Sequence, residues 1–181
     1  MTHPYQSLPP RAFWRSGVTD ADRLAFSDLY HPRIAIGPQT RVATAGSCFA
    51  QHIARALRGA GCLVLDAEPP PRVMPDDVAR AFGYCLFSGR YGNIYTARQL
   101  RQLLDEIIAG DPDPTCVWAG PAGGYVDAFR PTVEPEGLET PAEVLIHRAY
   151  HLERTSRMLQ QADLLIVTLG LTEAWEDAVT G

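Results

Sequence analysis

Apolar positions along this chain change period several times, and each change marks an element. A short β-type run, Arg41-Val42-Ala43-Thr44-Ala45, meets Gly46-Ser47-Cys48, after which Phe49, Ile53, Ala56, Leu57 and Ala60 recur at helical spacing until Gly61. The pattern predicts strand, tight turn and helix. Cys62-Leu63-Val64-Leu65 reads as a second short strand, ended by the Pro-rich Glu68-Pro69-Pro70-Pro71. Val78, Ala81, Phe82 and Cys85 predict a helix opened by Asp76 and Asp77. Leu100, Leu103, Leu104, Ile107 and Ile108 form one stripe of another, capped by Thr96 with Gln99 in the capping-box position. Residues 110–137 hold ten Gly and Pro residues and predict an irregular excursion, with short strands at Cys116-Val117-Trp118 and Tyr125-Val126. Thr140-Pro141-Ala142-Glu143 combines a capping box with proline at the first helical position. It opens a helix to about Gln161, buried along Leu145, Ala149, Leu152 and Leu159. The run Asp163-Leu164-Leu165-Ile166-Val167-Thr168-Leu169 is that of a strand covered on both faces, ended by Gly170.

Strands alternating with helices imply a parallel sheet with right-handed crossovers, a layered α/β domain over residues 41–181. Residues 1–40 carry Pro4, Pro9, Pro10, Pro32 and Pro38, show no sustained period, and predict an irregular arm with Phe13, Trp14 and Tyr30 on the surface. With 181 residues, 46% of them apolar, the chain can bury one sizeable core. Its 16 basic and 21 acidic groups give a net charge of −5 with no Lys/Arg patch, which argues against nucleic acid as a partner. No stretch approaches the roughly 20 apolar residues that span a bilayer, and Met1-Thr2-His3-Pro4-Tyr5 lacks the regions of a signal peptide, so the expected location is cytoplasmic. Cys48, Cys62, Cys85 and Cys116 include no Cys-x-x-Cys pair and predict neither a zinc site nor a disulfide framework, but small hydrophobes, most of them buried.

In a parallel sheet the loops after the strands gather at one edge, where ligands bind. Two loops qualify here, Gly46-Ser47-Cys48-Phe49-Ala50 and Gly170-Leu171-Thr172-Glu173-Ala174-Trp175. Ser47 stands at a helix N-terminus, where unpaired N–H groups favour a developing negative charge. It reads either as a nucleophile or as an ordinary N-cap. Cys48 reads either as the nucleophile of a Cys/His enzyme or as a packed neighbour of Ser47, and Trp175 either as packing or as the lining of an acyl or sugar pocket. Glu173 either orients a polar partner or faces solvent. Asn93 either offers an amide to an oxyanion or serves a turn after Gly92. Among the histidines, His52 lies five residues past Ser47 and points away from the helix start, while His147 and His151, at i and i+4 on one helix face, could bind a metal but have no evident third ligand and read as solvent-facing.

Thr44-Ala45-Gly46-Ser47-Cys48-Phe49-Ala50 resembles the naming motif of the GSCFA-domain family. Tyr91-Gly92-Asn93-Ile94-Tyr95 is similar to that family's Gly/Tyr loop, and Thr168-Leu169-Gly170-Leu171-Thr172-Glu173-Ala174-Trp175 to its Thr-Leu-Gly block. The family is grouped with the SGNH or GDSL-like hydrolases, so the resemblance implies a flavodoxin-like three-layer sheet and acyl-ester chemistry. Carried over, Ser47 is the nucleophile, Gly46 and Cys48 flank it, Gly92 supplies an oxyanion-hole N–H, and Gly170 opens the third block. Thr172 stands where the superfamily places an asparagine, a differently aimed donor. The superfamily's base belongs to a late Asp-x-x-His block, which follows neither loop. Asp28-Leu29-Tyr30-His31 has that spacing but precedes Ser47. The expectation is therefore the N-terminal portion of the fold, incomplete at its C-terminus, with an exposed sheet edge open to self-association. As an enzyme it would be a serine esterase or O-acyltransferase acting on small-molecule or carbohydrate acyl esters without a cofactor. Its rival is a noncatalytic binding module with the same cleft.

Overall fold

The computed structural model describes residues 3–22, 29–121 and 123–173, and its centre is the strand β1 (Arg41–Gly46). Two units are distinguished, Met1–Ile36 and Gly37–Gly181. The first carries a 3-10 turn at Pro10–Ala12 and a π-helical turn at Arg15–Thr19, with Trp14 and Tyr30 exposed.

In the second unit, β1 is followed by α1 (Cys48–Gly59), β2 (Leu63–Val64), α2 (Asp76–Ala81), α3 (Ala97–Ala109), β3 (Val117–Ala119), β4 (Tyr125–Asp127), α4 (Pro141–Gln161) and β5 (Leu164–Thr168). The main sheet is parallel, in the order β2-β1-β5, and β3 and β4 pair separately as an antiparallel ribbon. The chain leaves β1 toward β2 by one crossover and reaches β5 on the other side by another, so right-handed connections put α1 and α4 on opposite faces. The result is a three-layer, flavodoxin-like α/β arrangement. Ala45 and Leu165 face Leu103 and Met158 from the α3/α4 layer, while Ala50 and Ala54 bury the opposing side of α1. The small residues along β1 let both helical layers approach closely. Arg41 and Asp163 close the base of the sheet through a bidentate ion pair, with Nη2 to Oδ1 at 2.6 Å, which holds Asp163 down to about 2.

Several local expectations differ from the structure. The helix begun at Asp76 ends at Ala81, and Cys85 adopts a positive φ of 60°, incompatible with continuing it. Only Cys116 of the four free thiols is buried, and Cys48 is exposed, since it starts α1 on the side facing away from β1. On α3 the capping box of Thr96 and Gln99 forms as expected, but Ile108 lies off the buried face. On α4 Thr140 caps Glu143, whose own carboxylate reaches one residue further back, to the Glu139 amide at 3.0 Å. The buried face of α4 is not the stripe of Leu145 and Ala149. It is Val144, Arg148, His151, Leu152, Thr155 and Met158, because buried carboxylates elsewhere in the fold neutralise or bond the polar members. Finally, β5 is half-buried throughout rather than fully covered, an edge strand of the described sheet with β1 as its single strand neighbour among the described residues.

Candidate functional site at the end of the central strand

β1 ends at Gly46 with φ at 130°, and an added Cβ there would stand 2.4 Å from the Thr168 carbonyl. Only glycine permits β1 and β5 to approach so closely. The chain then turns into α1 through Ser47, the N-cap residue, whose side chain makes no capping bond. Instead the Ser47 amide donates to the Thr168 carbonyl at 2.8 Å, and the Ser47 and Thr168 hydroxyls pair at 3.0 Å. Ser47 is buried at 8% exposure, yet its hydroxyl is not committed to the helix it begins. The Cys48 and Phe49 amides come before that of Ala50, which bonds the Ser47 carbonyl at 2.9 Å, and among the described residues they take no intrahelical acceptor.

The third wall is the segment from Phe87 to Tyr95. β2 covers only the start of β1, pairing Arg41 with Leu63 and Val42 with Val64. Beyond it the segment takes over. Ser88 Oγ accepts from the Thr44 amide at 3.0 Å, Ser88 N–H returns to the Thr44 carbonyl at 3.2 Å, and the Ile94 amide donates to the Gly46 carbonyl at 2.8 Å. The Tyr91 hydroxyl donates to the same Thr44 carbonyl. The Tyr95 carbonyl then accepts from Gly170 and Leu171 at 3.0 and 3.2 Å. A Cβ at Gly170 would lie 3.5 Å from Ser47 Cβ and 3.8 Å from the Tyr95 ring. One short hydrogen-bonded circuit therefore joins Gly46, Ser47, Thr168, Gly170 and Tyr95.

Outside Gly170 lies an open cleft of about 750 Å³ between the start of α3 and the loop after β5, lined by Thr96, Arg98, Leu169, Leu171, Thr172 and Glu173. Thr172 and Glu173 are exposed, and the Thr172 hydroxyl donates to Glu173 Oε2 at 3.3 Å. Bonds from the Glu173 amide, the Thr172 hydroxyl and the Thr172 amide hold that carboxyl below its ordinary range. Gly92 has a positive φ of 69° and backs onto Arg130, and Asn93 is exposed. Trp175, like Asp28, lies outside the described residues. Thr168 is the member that the sequence pattern did not single out. Its place inside an apolar run, directly before Leu169-Gly170, was the available signal.

His52 is exposed, as expected. His151 is not solvent-facing. It is fully buried, with Nδ1 2.7 Å from Glu68 Oε2 and Nε2 without a partner among the described residues, while His147 four residues earlier is half-exposed. Burial, then the Arg130 charge, push His151 down to about 4 against the pull of Glu68, so it is neutral at pH 7 and donates through Nδ1–H. Burial would raise the Glu68 carboxyl, but the His151 hydrogen bond, Arg130 and the Arg90 amide outweigh it and keep it ionised. Around this pair Arg130 binds Asp127 at 2.6 Å, Arg148 binds Glu106 and Asp127, and Arg90 binds Glu134 at 2.7 Å. Among the described residues no group of His, Cys, Asp and Glu is arranged to hold a metal ion, and no helix is long and apolar enough to cross a membrane.

The GSCFA family model matches residues 41–181, and the chain belongs to that family. No curated protein and no solved structure matches it.

Proposed function

We propose that this GSCFA-family chain carries the nucleophile of a serine esterase or O-acyltransferase, with Ser47 as the acylated residue and an acyl ester, including esters of carbohydrates, as substrate. The observation that carries the reading is the Ser47 hydroxyl itself. It stands at the C-terminal end of the central strand of a parallel sheet and at a helix N-terminus, and it is free of the capping bond that serine ordinarily makes there. In the reaction Oγ attacks the acyl carbon, the alcohol leaves with the proton that Ser47 gives up, and water or an acceptor alcohol then takes the acyl group from the serine ester. The Cys48 amide is the first donor for the tetrahedral oxyanion, as the residue after the nucleophile is in hydrolases built on a strand-to-helix turn. The cleft beyond Gly170 receives the ester. The four free thiols support a reducing, cytoplasmic setting.

A fluorophosphonate probe tests this without a known substrate. Labelling is expected to map to Ser47 by mass spectrometry, to vanish in Ser47→Ala and to persist in Cys48→Ala. An adduct on Cys48, or labelling that survives Ser47→Ala, overturns the reading. A noncatalytic binding module is the second reading, favoured by the one side-chain partner of the Ser47 hydroxyl among the described residues being a threonine, which cannot act as a base. That reading expects no labelling of a folded chain.

A further inference from the structure

Glu68 lies outside the Ser47 circuit, yet it touches the segment that forms the circuit's third wall. Its Oε2 accepts the Arg90 amide at 2.7 Å as well as His151 Nδ1 at 2.7 Å, and Oε1 faces the Arg130 guanidinium at 3.9 Å. Arg130 in turn donates to the Arg90 carbonyl at 3.2 Å and to the His147 carbonyl at 3.0 Å. Both main-chain groups of Arg90 are thus held from the same side by one ion pair anchored on α4. Four residues on, Ile94 binds Gly46, and Tyr95 then binds Gly170 and Leu171. Burying Glu68, Arg130 and His151 together, with His151 Nε2 unpartnered among the described residues, is a costly way to fill a core, since apolar side chains of similar volume would do as well or better for stability. What apolar residues cannot do is grip a main-chain amide and carbonyl in one fixed register.

We infer that Glu68, seated by His151 and Arg130, is the positioning residue of the Ser47 site: it sets the register of residues 90–95 and so places the two loops carrying Ser47 and Gly170 against each other. The role in catalysis rests on the proposed function of Ser47, and the role in holding the loops does not. Glu68→Gln keeps the volume and removes the charge that gathers Arg130 and His151. Amide hydrogen exchange in this variant is expected to speed up by roughly tenfold or more at Ile94, Gly170 and Leu171, relative to Leu65, whose amide bonds the other part of β1. Glu106→Gln, which breaks the Arg148 half of the cluster without touching residues 90–95, should leave those ratios unchanged. Ser47 labelling in Glu68→Gln should slow at saturating probe with the half-saturating concentration unchanged. Equal acceleration at Leu65 and the three reporter amides would show a merely structural group and overturn the inference. If Glu68→Gln does not fold, the native chain decides: the amides of Arg90, Ile94, Gly170 and Leu171 should open as one unit, and opening constants that differ by more than about tenfold refute it. A native chain that is not labelled at Ser47 sinks the proposed function, while the exchange pattern still judges the clamp.

Discussion

A methyl group at position 46 would meet both the carbonyl and the amide of Thr168, at 2.4 and 2.6 Å, in a backbone conformation that L side chains rarely adopt. Two costs coincide there, backbone strain and a clash with main chain that has no rotamer to escape into. Gly46→Ala is therefore expected to lower stability by about 3 kcal/mol, read from the urea midpoint, and to remove Ser47 labelling by driving β5 from β1. A loss below about 1 kcal/mol would mean that the two strands separate easily and that the close approach is not a constraint. Ser47 and Gly46 were legible in the sequence because strand, Gly-Ser and helix follow one another without a break. Thr168 was not, since its partner stands 121 positions away and a threonine inside an apolar strand reads as a β-former.

At the scale of the element, α4 shows what hydrophobic periodicity can and cannot give. Both its ends were legible, from Thr140, Pro141 and the apolar strand that follows. Its buried face was not, because Arg148 and His151 count as polar, and the groups that make them internal, Glu106 and Glu68, lie 42 and 83 positions away. Burying His151 neutral couples this helix to pH. Its folded pKa, about 4, lies below the ordinary 6.5, so in that interval the unfolded chain takes the proton and the folded one does not. Stability is then complete above 6.5 and lost as pH falls toward 4. The Glu68 carboxyl, also held below its ordinary range, adds a loss in the same direction at still lower pH. Urea midpoints should be level above pH 7 and decline between pH 6.5 and 4 by on the order of 3 kcal/mol in unfolding free energy. Constant stability down to pH 5 would place the His151 proton elsewhere.

For the whole molecule the decisive asymmetry is between the two edges of the sheet. On one side β2 spans only Leu63–Val64, and beyond it residues 88–94 occupy the hydrogen-bonding groups of β1, so that edge is short and covered. On the other side β5 offers Leu164–Thr168, five half-buried residues with no charge among them and no further strand beside them among the described residues. An apolar, uncharged edge is a template for another strand unless charges, Pro, a bulge or a covering segment blunts it. The sequence order of strands and helices made the parallel sheet legible, while the order β2-β1-β5 is that of the flavodoxin-like sheet which the family resemblance implied. Cys62 to Leu65 read as a short strand of four residues and only Leu63 and Val64 form it, because four apolar residues look like a strand whether or not a neighbour lets them pair along their length. We propose that β5 is the surface through which the 181-residue chain self-associates. Light scattering at micromolar concentration should find dimers or larger species, and added salt should favour them by screening the net charge of −5 that each copy carries. A monodisperse monomer at low and high salt alike would show that the β5 edge is closed to a second copy.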